Sequence, residues 1–373
     1  MNRYEINIEA FFALMRAGLW EKDVQLTPFG EVDYEGVYKI AEEQSVLGLI
    51  AAGLDHVKDV KVPQTVALAL AGSALQLEQR NRQMNSFIAE IVLDLRRHGI
   101  FTLLVKGQAN AQRYERPLWR ASGDVDFFLS DENYVKAKNY MLPKASSMEP
   151  EGKYYQHLGM MIDGYSVELH GNFRCGFSSR TDRVLDKVRY DTFNNGNVNS
   201  WVNGNVQIFG LSKENEVFYV FTHFLGHFYK GGIGLRQICD WCRLLWTYRD
   251  TLDLKLLDLL LKEAGLMTEW KAFGAFAVEF LGMPAEAMPL YSPAKKWKKK
   301  AALIRSFIIE VGNFGHNRDS SYFEKYPYVV RKMMSFGIRC WDLVRHIRVF
   351  PADSLRFFPS IVFRGMQSAV KGE

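Results

Sequence analysis

The chain has 373 residues, 48% of them apolar, which suffices for a full-sized core and favours two domains or one large one. A net charge of +5 suits a protein that handles anionic phosphates and is too weak to argue for nucleic-acid binding. With no signal-like N-terminal run, no uninterrupted apolar stretch of membrane-span length and only four cysteines, a cytoplasmic, reducing location is expected.

The first hundred residues read as helical, with amphipathic patterns over Ile6–Leu19, Tyr34–Val57 and Thr65–His98, the last stopped by Gly99. Phe101–Val105 is then a short apolar strand, Gln108–Tyr114 a short helix, Gly123–Leu129 a second strand and Asp131–Leu142 another helix. Asp163-Gly164 and Asn203-Gly204 each sit between apolar runs and predict two β-hairpins. From Ser212, a candidate N-cap, strand signals stop. Helical patterns follow over Val217–Lys230, Leu235–Tyr248, Leu254–Ala264 and Glu269–Leu281, with more towards the C-terminus. The predicted class is α+β. A helical region (1–100) packs on a small mixed-sheet core (101–211), followed by a helical C-terminal domain (212–373).

Side chains at i and i+2 of a strand share a face, so Asp124 and Asp126 project together while Val125 and Phe127 point into the core. Paired carboxylates at a strand edge form an oxygen-rich site for Mg²⁺ (or Mn²⁺). Two such ions about 3.5–4 Å apart can drive in-line attack on a phosphate. In Ser166-Val167-Glu168-Leu169-His170 the same alternation puts Glu168 and His170 on one face. If this strand lies beside the Asp124–Asp126 strand, the acids gather into one cluster that calls for a cation.

Lys106-Gly107, Arg120-Ala121-Ser122-Gly123-Asp124-Val125-Asp126 and Val167-Glu168-Leu169-His170 together resemble the nucleotidyltransferase superfamily that includes DNA polymerase β. They look most like an uncharacterised bacterial branch of it. The resemblance covers roughly residues 5–290, extending to the helices around His223–His227 and Arg236–Asp240, with the specific motifs confined to about 105–170. It implies a mixed sheet flanked by helices, binding a nucleoside triphosphate (NTP) and Mg²⁺. Asp124 and Asp126 would be metal ligands, and Glu168 a third ligand or a general base. Lys106, Gly107, Gln108, Arg120 and Gly123 would contact the nucleotide. The superfamily's usual Gly-Ser is replaced here by Gly107-Gln108, which keeps the close backbone approach and loses the small hydroxyl.

Other residues carry two readings each. Arg116 and Arg120 either grip phosphate oxygens or pair with Glu115 and Asp131. His170 either orients the carboxylate or makes a structural hydrogen bond. His223 and His227 have zinc-ligand spacing without the acid of that motif, so a polar helix face lining the cleft is preferred. Arg236 and Asp240 are an i,i+4 pair or cleft residues. Cys239 and Cys242 read as buried core, and Lys295–Lys300 as a solvated helix start.

The activity implied is transfer of a nucleoside monophosphate to a hydroxyl, with pyrophosphate released. A small-molecule acceptor fits the modest charge better than nucleic acid does. The rivals are a D-x-D glycosyltransferase, a phosphotransferase releasing ADP, and a nucleotide-binding module without turnover.

Overall fold

The computed structural model describes residues 3–151, 156–176, 178–230, 232–313, 326 and 328–359. Among them the chain opens with helices α1 (Arg3–Trp20), α2 (Tyr34–Glu43), α3 (Leu47–Leu54) and α4 (Gln64–Arg97). The helix expected over 34–57 is thus two. It breaks where Ser45 takes φ +57°, beside a buried Gln44 whose amide donates to the Ile308 carbonyl and accepts from the Leu235 N–H. These long-range partners stop a pattern that local periodicity would have continued. Helix α4 ends at Gly99, which adopts φ +68° as a left-handed stop.

The centre alternates strands and helices: β1 (Leu103–Leu104), α5 (Gly107–Ala111), β2 (Val125–Phe128), α6 (Asp131–Met141), β3 (Ser147–Met148), β4 (His157–Ile162), β5 (Tyr165–His170), α7 (Ser179–Phe193), β6 (Val198–Asn203) and β7 (Val206–Leu211). One sheet takes all of these strands in the order β3-β4-β5-β2-β1-β7-β6. It is mixed: β2/β5 and β1/β7 run parallel, and the other pairs antiparallel. Both expected hairpins form. Asp163 and Gly164 have φ of +50° and +80°, as a type I′ turn requires. The second loop falls one residue later than expected. Asn203 pairs with Val206, leaving Gly204-Asn205 as the loop with positive φ at Gly204, which leads the turn as in type II′.

Helix α7 was not foreseen. Its polar sequence buries only a thin stripe, Thr181, Asp182, Val184, Leu185, Val188 and Thr192, and the Ser178 hydroxyl caps it by accepting from the Thr181 N–H. The chain closes with α8 (Lys213–Lys230), α9 (Leu235–Tyr248), α10 (Leu254–Ala264), α11 (Met267–Leu281), α12 (Lys295–Val311) and α13 (Tyr328–Val349), and residues 351–359 are helical too. Residues 360–373, part of the expected C-terminal domain, lie outside the described residues. Ser212 does not cap α8, because its buried hydroxyl meets no hydrogen-bond partner. At the basic run, Trp297 packs inward and Lys298 pairs with Glu279 at 2.7 Å, as in a solvated helix start.

The two sheet faces are covered differently. One packs Val125, Phe127, Val167 and Leu169 against α4 and α6. The other presents Phe128 to Tyr219 of α8, in a second, aromatic-rich core that also takes Phe11 and Phe12 of α1 and Trp241 and Trp270 of α9 and α11. Alternation places Asp126, Glu168 and His170 on this second face. No helix among the described residues is long and apolar enough to cross a membrane.

Candidate active site

Parallel pairing of β2 with β5 sets Asp126 directly opposite Glu168, and antiparallel pairing of β4 with β5 sets His157 opposite His170. Two steps along β5 thus bring two carboxylates and two imidazoles to one patch. The Glu168 carboxylate meets His157 Nε2 at 3.1 Å and His170 Nε2 at 3.2 Å. Asp126 Oδ1 meets His170 Nε2 at 2.9 Å and Lys106 Nζ at 2.8 Å. Phe128 stacks on the His170 ring with centroids 4.6 Å apart.

Burial opposes the charge on Glu168, yet the hydrogen bonds from His157 and His170 and the positive charge of His170 and Lys106 outweigh it. They hold the Glu168 pKa well below the usual carboxylate range. Burial also opposes the charge on His170, and bonds to Asp126 and Glu168 raise its pKa above the ordinary value.

Lys106 reaches this patch from a strained backbone. Its φ of +67° and ψ of −152° lie in a region that is almost exclusively glycine's, at a cost of about 1–3 kcal/mol. Gly107 follows with φ +45°, and a Cβ there would lie 3.2 Å from the Asp124 carbonyl. The Lys-Gly turn and the loop before β2 therefore run nearly in contact. Asp124 itself precedes β2 on the exposed edge, and its carboxylate makes no hydrogen bond or ion pair among the described residues.

Helices α8 and α9 form the opposite wall of a cleft of about 250 Å³, lined by Lys106, Gly107, Gly123, Asp124, Asp126 and Glu168 on one side and His223, His227, Arg236, Gln237 and Asp240 on the other. His223 Nε2 lies 3.0 Å from Lys106 Nζ. Burial, Lys106 and the neighbouring histidines push the His223 pKa well below normal, and burial with Lys106 and Lys230 takes His227 down to about 4. No group of three metal-capable side chains among the described residues includes either histidine, in keeping with the cleft-lining reading.

Several expected partnerships are corrected. Arg236 and Asp240 do not pair. Both Asp240 oxygens accept from Arg120, at 2.8 and 2.6 Å, and Tyr114 donates to the same carboxylate. Arg120, 7% exposed, is thereby committed to a buried ion pair and meets neither Glu115 nor Asp131. A phosphate would have to compete with that fork. Arg116 pairs with Asp55 and Glu21, far along the sequence from its expected partners. The Gln108 side chain turns away from the cleft to donate to Asn81 Oδ1, and Asn81 in turn donates to the Leu118 and Arg120 carbonyls. Cys239 and Cys242 are fully buried free thiols with pKa values raised by burial, as the core reading expects.

Three residues at or beside the cleft escaped sequence reasoning: His157, in the crevice next to it, and Asn110 and Gln237, in the cleft itself. His157 comes from a strand that alternation alone could not register against β5. Asn110 and Gln237 also line the cleft, and Asn110 Oδ1, Gln237 Oε1 and Arg236 Nε are buried there without a protein partner. Unmatched polar atoms of this kind suit a polar ligand. Arg236 otherwise donates to the Ala121 and Ser122 carbonyls, bracing the loop that carries Asp124.

The acids also bear on metal binding. Asp126 and Glu168 offer oxygens from paired central strands and Asp124 from the loop before β2, a donor chemistry that suits a hard divalent cation, although among the described residues the three ligand atoms do not gather within 4.8 Å of one another. Lys106 and the imidazoles already neutralise much of the charge that was expected to demand one.

A protein family described as uncharacterised nucleotidyltransferase matches residues 30–282. No curated protein and no solved structure matches the chain.

Proposed function

Since the chain belongs to that family of uncharacterised nucleotidyltransferases, we propose that its cleft transfers a nucleoside monophosphate from an NTP to a hydroxyl acceptor. The observation that carries this reading is one cleft that gathers Asp124, Asp126, Glu168 and Lys106 with Arg236 and holds three unmatched polar atoms, on Asn110, Gln237 and Arg236 itself. In the reaction the acceptor oxygen bonds to the α-phosphorus as its hydroxyl proton passes to a base or to solvent, the bond to the bridging oxygen breaks, and pyrophosphate leaves with the electron pair. Asp124, Asp126 and Glu168 would hold Mg²⁺ or Mn²⁺, which when bound supplies Lewis acidity at the phosphate and at the attacking hydroxyl.

The chain's own residues do the positioning. Lys106 and Arg236 offset charge that builds on the phosphates. Gly107 lets the triphosphate approach the backbone. Asn110 and Gln237 present acceptor oxygens to N–H or O–H groups of the substrate. Glu168 would hold the cation or take the proton of the attacking hydroxyl. The modest net charge favours a small-molecule acceptor.

Calorimetric titration of each NTP and of UDP-sugars, with and without Mg²⁺, tests the reading on wild type and on Asp124→Asn/Asp126→Asn. Mg²⁺-dependent NTP binding should weaken in the variant by at least about 10–100-fold, the loss seen when even outer-shell partners of a metal are removed. Binding of a UDP-sugar alone, or of no nucleotide by the folded protein, would overturn it.

A further inference from the structure

The patch around Glu168 has a second side. Glu168, His223 and His227 border both the cleft and a neighbouring crevice of about 370 Å³, into which His157, His170 and Tyr219 also face. On this side the chemistry changes from oxygen to nitrogen. His157 Nε2, His170 Nε2 and a Glu168 oxygen all lie within 4.8 Å of one another, and Asp124 takes no part.

We propose that His157, Glu168 and His170 form a transition-metal site, selective for Zn²⁺ or a similar borderline ion over Mg²⁺, distinct from the all-carboxylate cation position of the nucleotidyl reading. Geometry carries this. Zinc binds imidazole nitrogen and carboxylate oxygen at about 2.0–2.2 Å in tetrahedral array, which puts its ligand atoms roughly 3.3–3.5 Å apart. The two observed imidazole–carboxylate separations are 3.1 and 3.2 Å, so each of these pairs needs to open by only a few tenths of an ångström, and the two imidazole nitrogens lie within 4.8 Å of each other.

The ligands are also preset. His157 and His170 stand opposite each other on paired strands, their ring centroids 4.8 Å apart, and Glu168 is two residues from His170 on the same face. Phe128, stacked on His170, restrains one ring before any ion arrives. Two imidazoles, which give up their Nε2 protons to bind, and one carboxylate suit Zn²⁺, Fe²⁺ or Ni²⁺, whereas Mg²⁺ keeps oxygen ligands and water. Three protein ligands leave coordination positions open towards the crevice, the pattern of a site that takes water or a substrate group.

The inference does not rest on nucleotidyl transfer, although Glu168 serves both sites. The test uses the full chain and metal ions alone. Zn²⁺ competed against a chromophoric chelator should bind, with one equivalent lost in His157→Gln and in His170→Gln, each weakening it by at least about 100-fold, beyond the outer-shell range. Asp124→Asn and His227→Gln should leave that equivalent in place, and a hundredfold excess of Mg²⁺ should not displace it. Should a histidine variant not fold, Co²⁺ loaded on wild type decides. Visible d–d absorption of a low-coordinate ion, removed by Zn²⁺ and not by Mg²⁺, is expected. Zn²⁺ affinity unchanged in both histidine variants, or a Co²⁺ spectrum of a purely hydrated ion, would overturn the site. Zn²⁺ binding without any NTP binding would sink the nucleotidyl reading and leave this one standing, and the reverse pattern would do the opposite.

Discussion

Lys106 is the residue where backbone and side chain compete. Its ammonium bridges Asp126 and His223, while its φ and ψ are those of glycine. Replacing it tests both parts. Lys106→Gly and Lys106→Ala lose the same ammonium, so any difference between them reports the backbone. The glycine variant should be more stable by about 1–2 kcal/mol in urea unfolding, and equal midpoints would show that the turn is unstrained. His227 gives a pH signature. Its folded pKa of about 4 lies below the unfolded value near 6.5, so between these values the unfolded chain binds the extra proton. The neutral ring's contribution is therefore complete above pH 6.5 and lost as pH falls towards 4. Between pH 7 and 5 the wild type should lose roughly 2 kcal/mol that His227→Gln retains, measured as the difference in their unfolding free energies.

At the scale of elements, the tightest crossing is that of α1 with α3. A Cβ on Gly18 would fall 1.9 Å from the Leu49 carbonyl oxygen, and one on Gly53 would fall 2.1 Å from that of Leu14. Neither obstacle is the end of a flexible side chain, so the helices would have to separate. Gly18→Ala should cost about 1–3 kcal/mol or more in chemical denaturation, although alanine is the better helix former. A neutral or stabilising effect would mean that the two helices do not touch so closely. The shortness of β1 has a similar origin. Only Leu103 and Leu104 pair on it before the chain turns through Lys106 and Gly107, and that turn carries the cleft.

For the whole molecule, the aromatic-rich core joins helices from both ends of the chain. Trp20 donates to the Leu281 carbonyl at 2.6 Å, Arg16 donates to the Phe280 carbonyl, and Arg305 pairs with Glu9. Gln44 ties the α2–α3 junction to α9 and α12. Helices so interlocked should melt together. Thermal unfolding followed by far-UV circular dichroism and by tryptophan fluorescence should coincide in one transition, and a separate early step in either signal would contradict a shared core. The cleft walls, sheet on one side and α8–α9 on the other, both pack on that same core.

Much of this was legible in local pattern. Periodicity located α1, α4, α9, α10 and α11 to within a few residues, because their apolar residues recur at helical spacing. Turn chemistry located both hairpins, and strand alternation put Asp126, Glu168 and His170 on one face. A resemblance in the motifs from 105 to 170 pointed to an uncharacterised nucleotidyltransferase family, and a family so described matches residues 30–282. What stayed hidden depended on partners distant in sequence. The break at Ser45 follows from Gln44 reaching residues 235 and 308. Asp240 prefers the fork of Arg120 to its helical neighbour Arg236, because a bidentate pair buried between two elements outweighs an i,i+4 contact. Gln108 turns to Asn81, and His157 joins Glu168 only through the register of β4 on β5. The sequence by itself determined most of the elements and the face that Asp126, Glu168 and His170 share, since both follow from residue spacing along one strand or helix. Only the tertiary structure decided what each charge pairs with, since that depends on which side chains the fold brings within about 3 Å of one another.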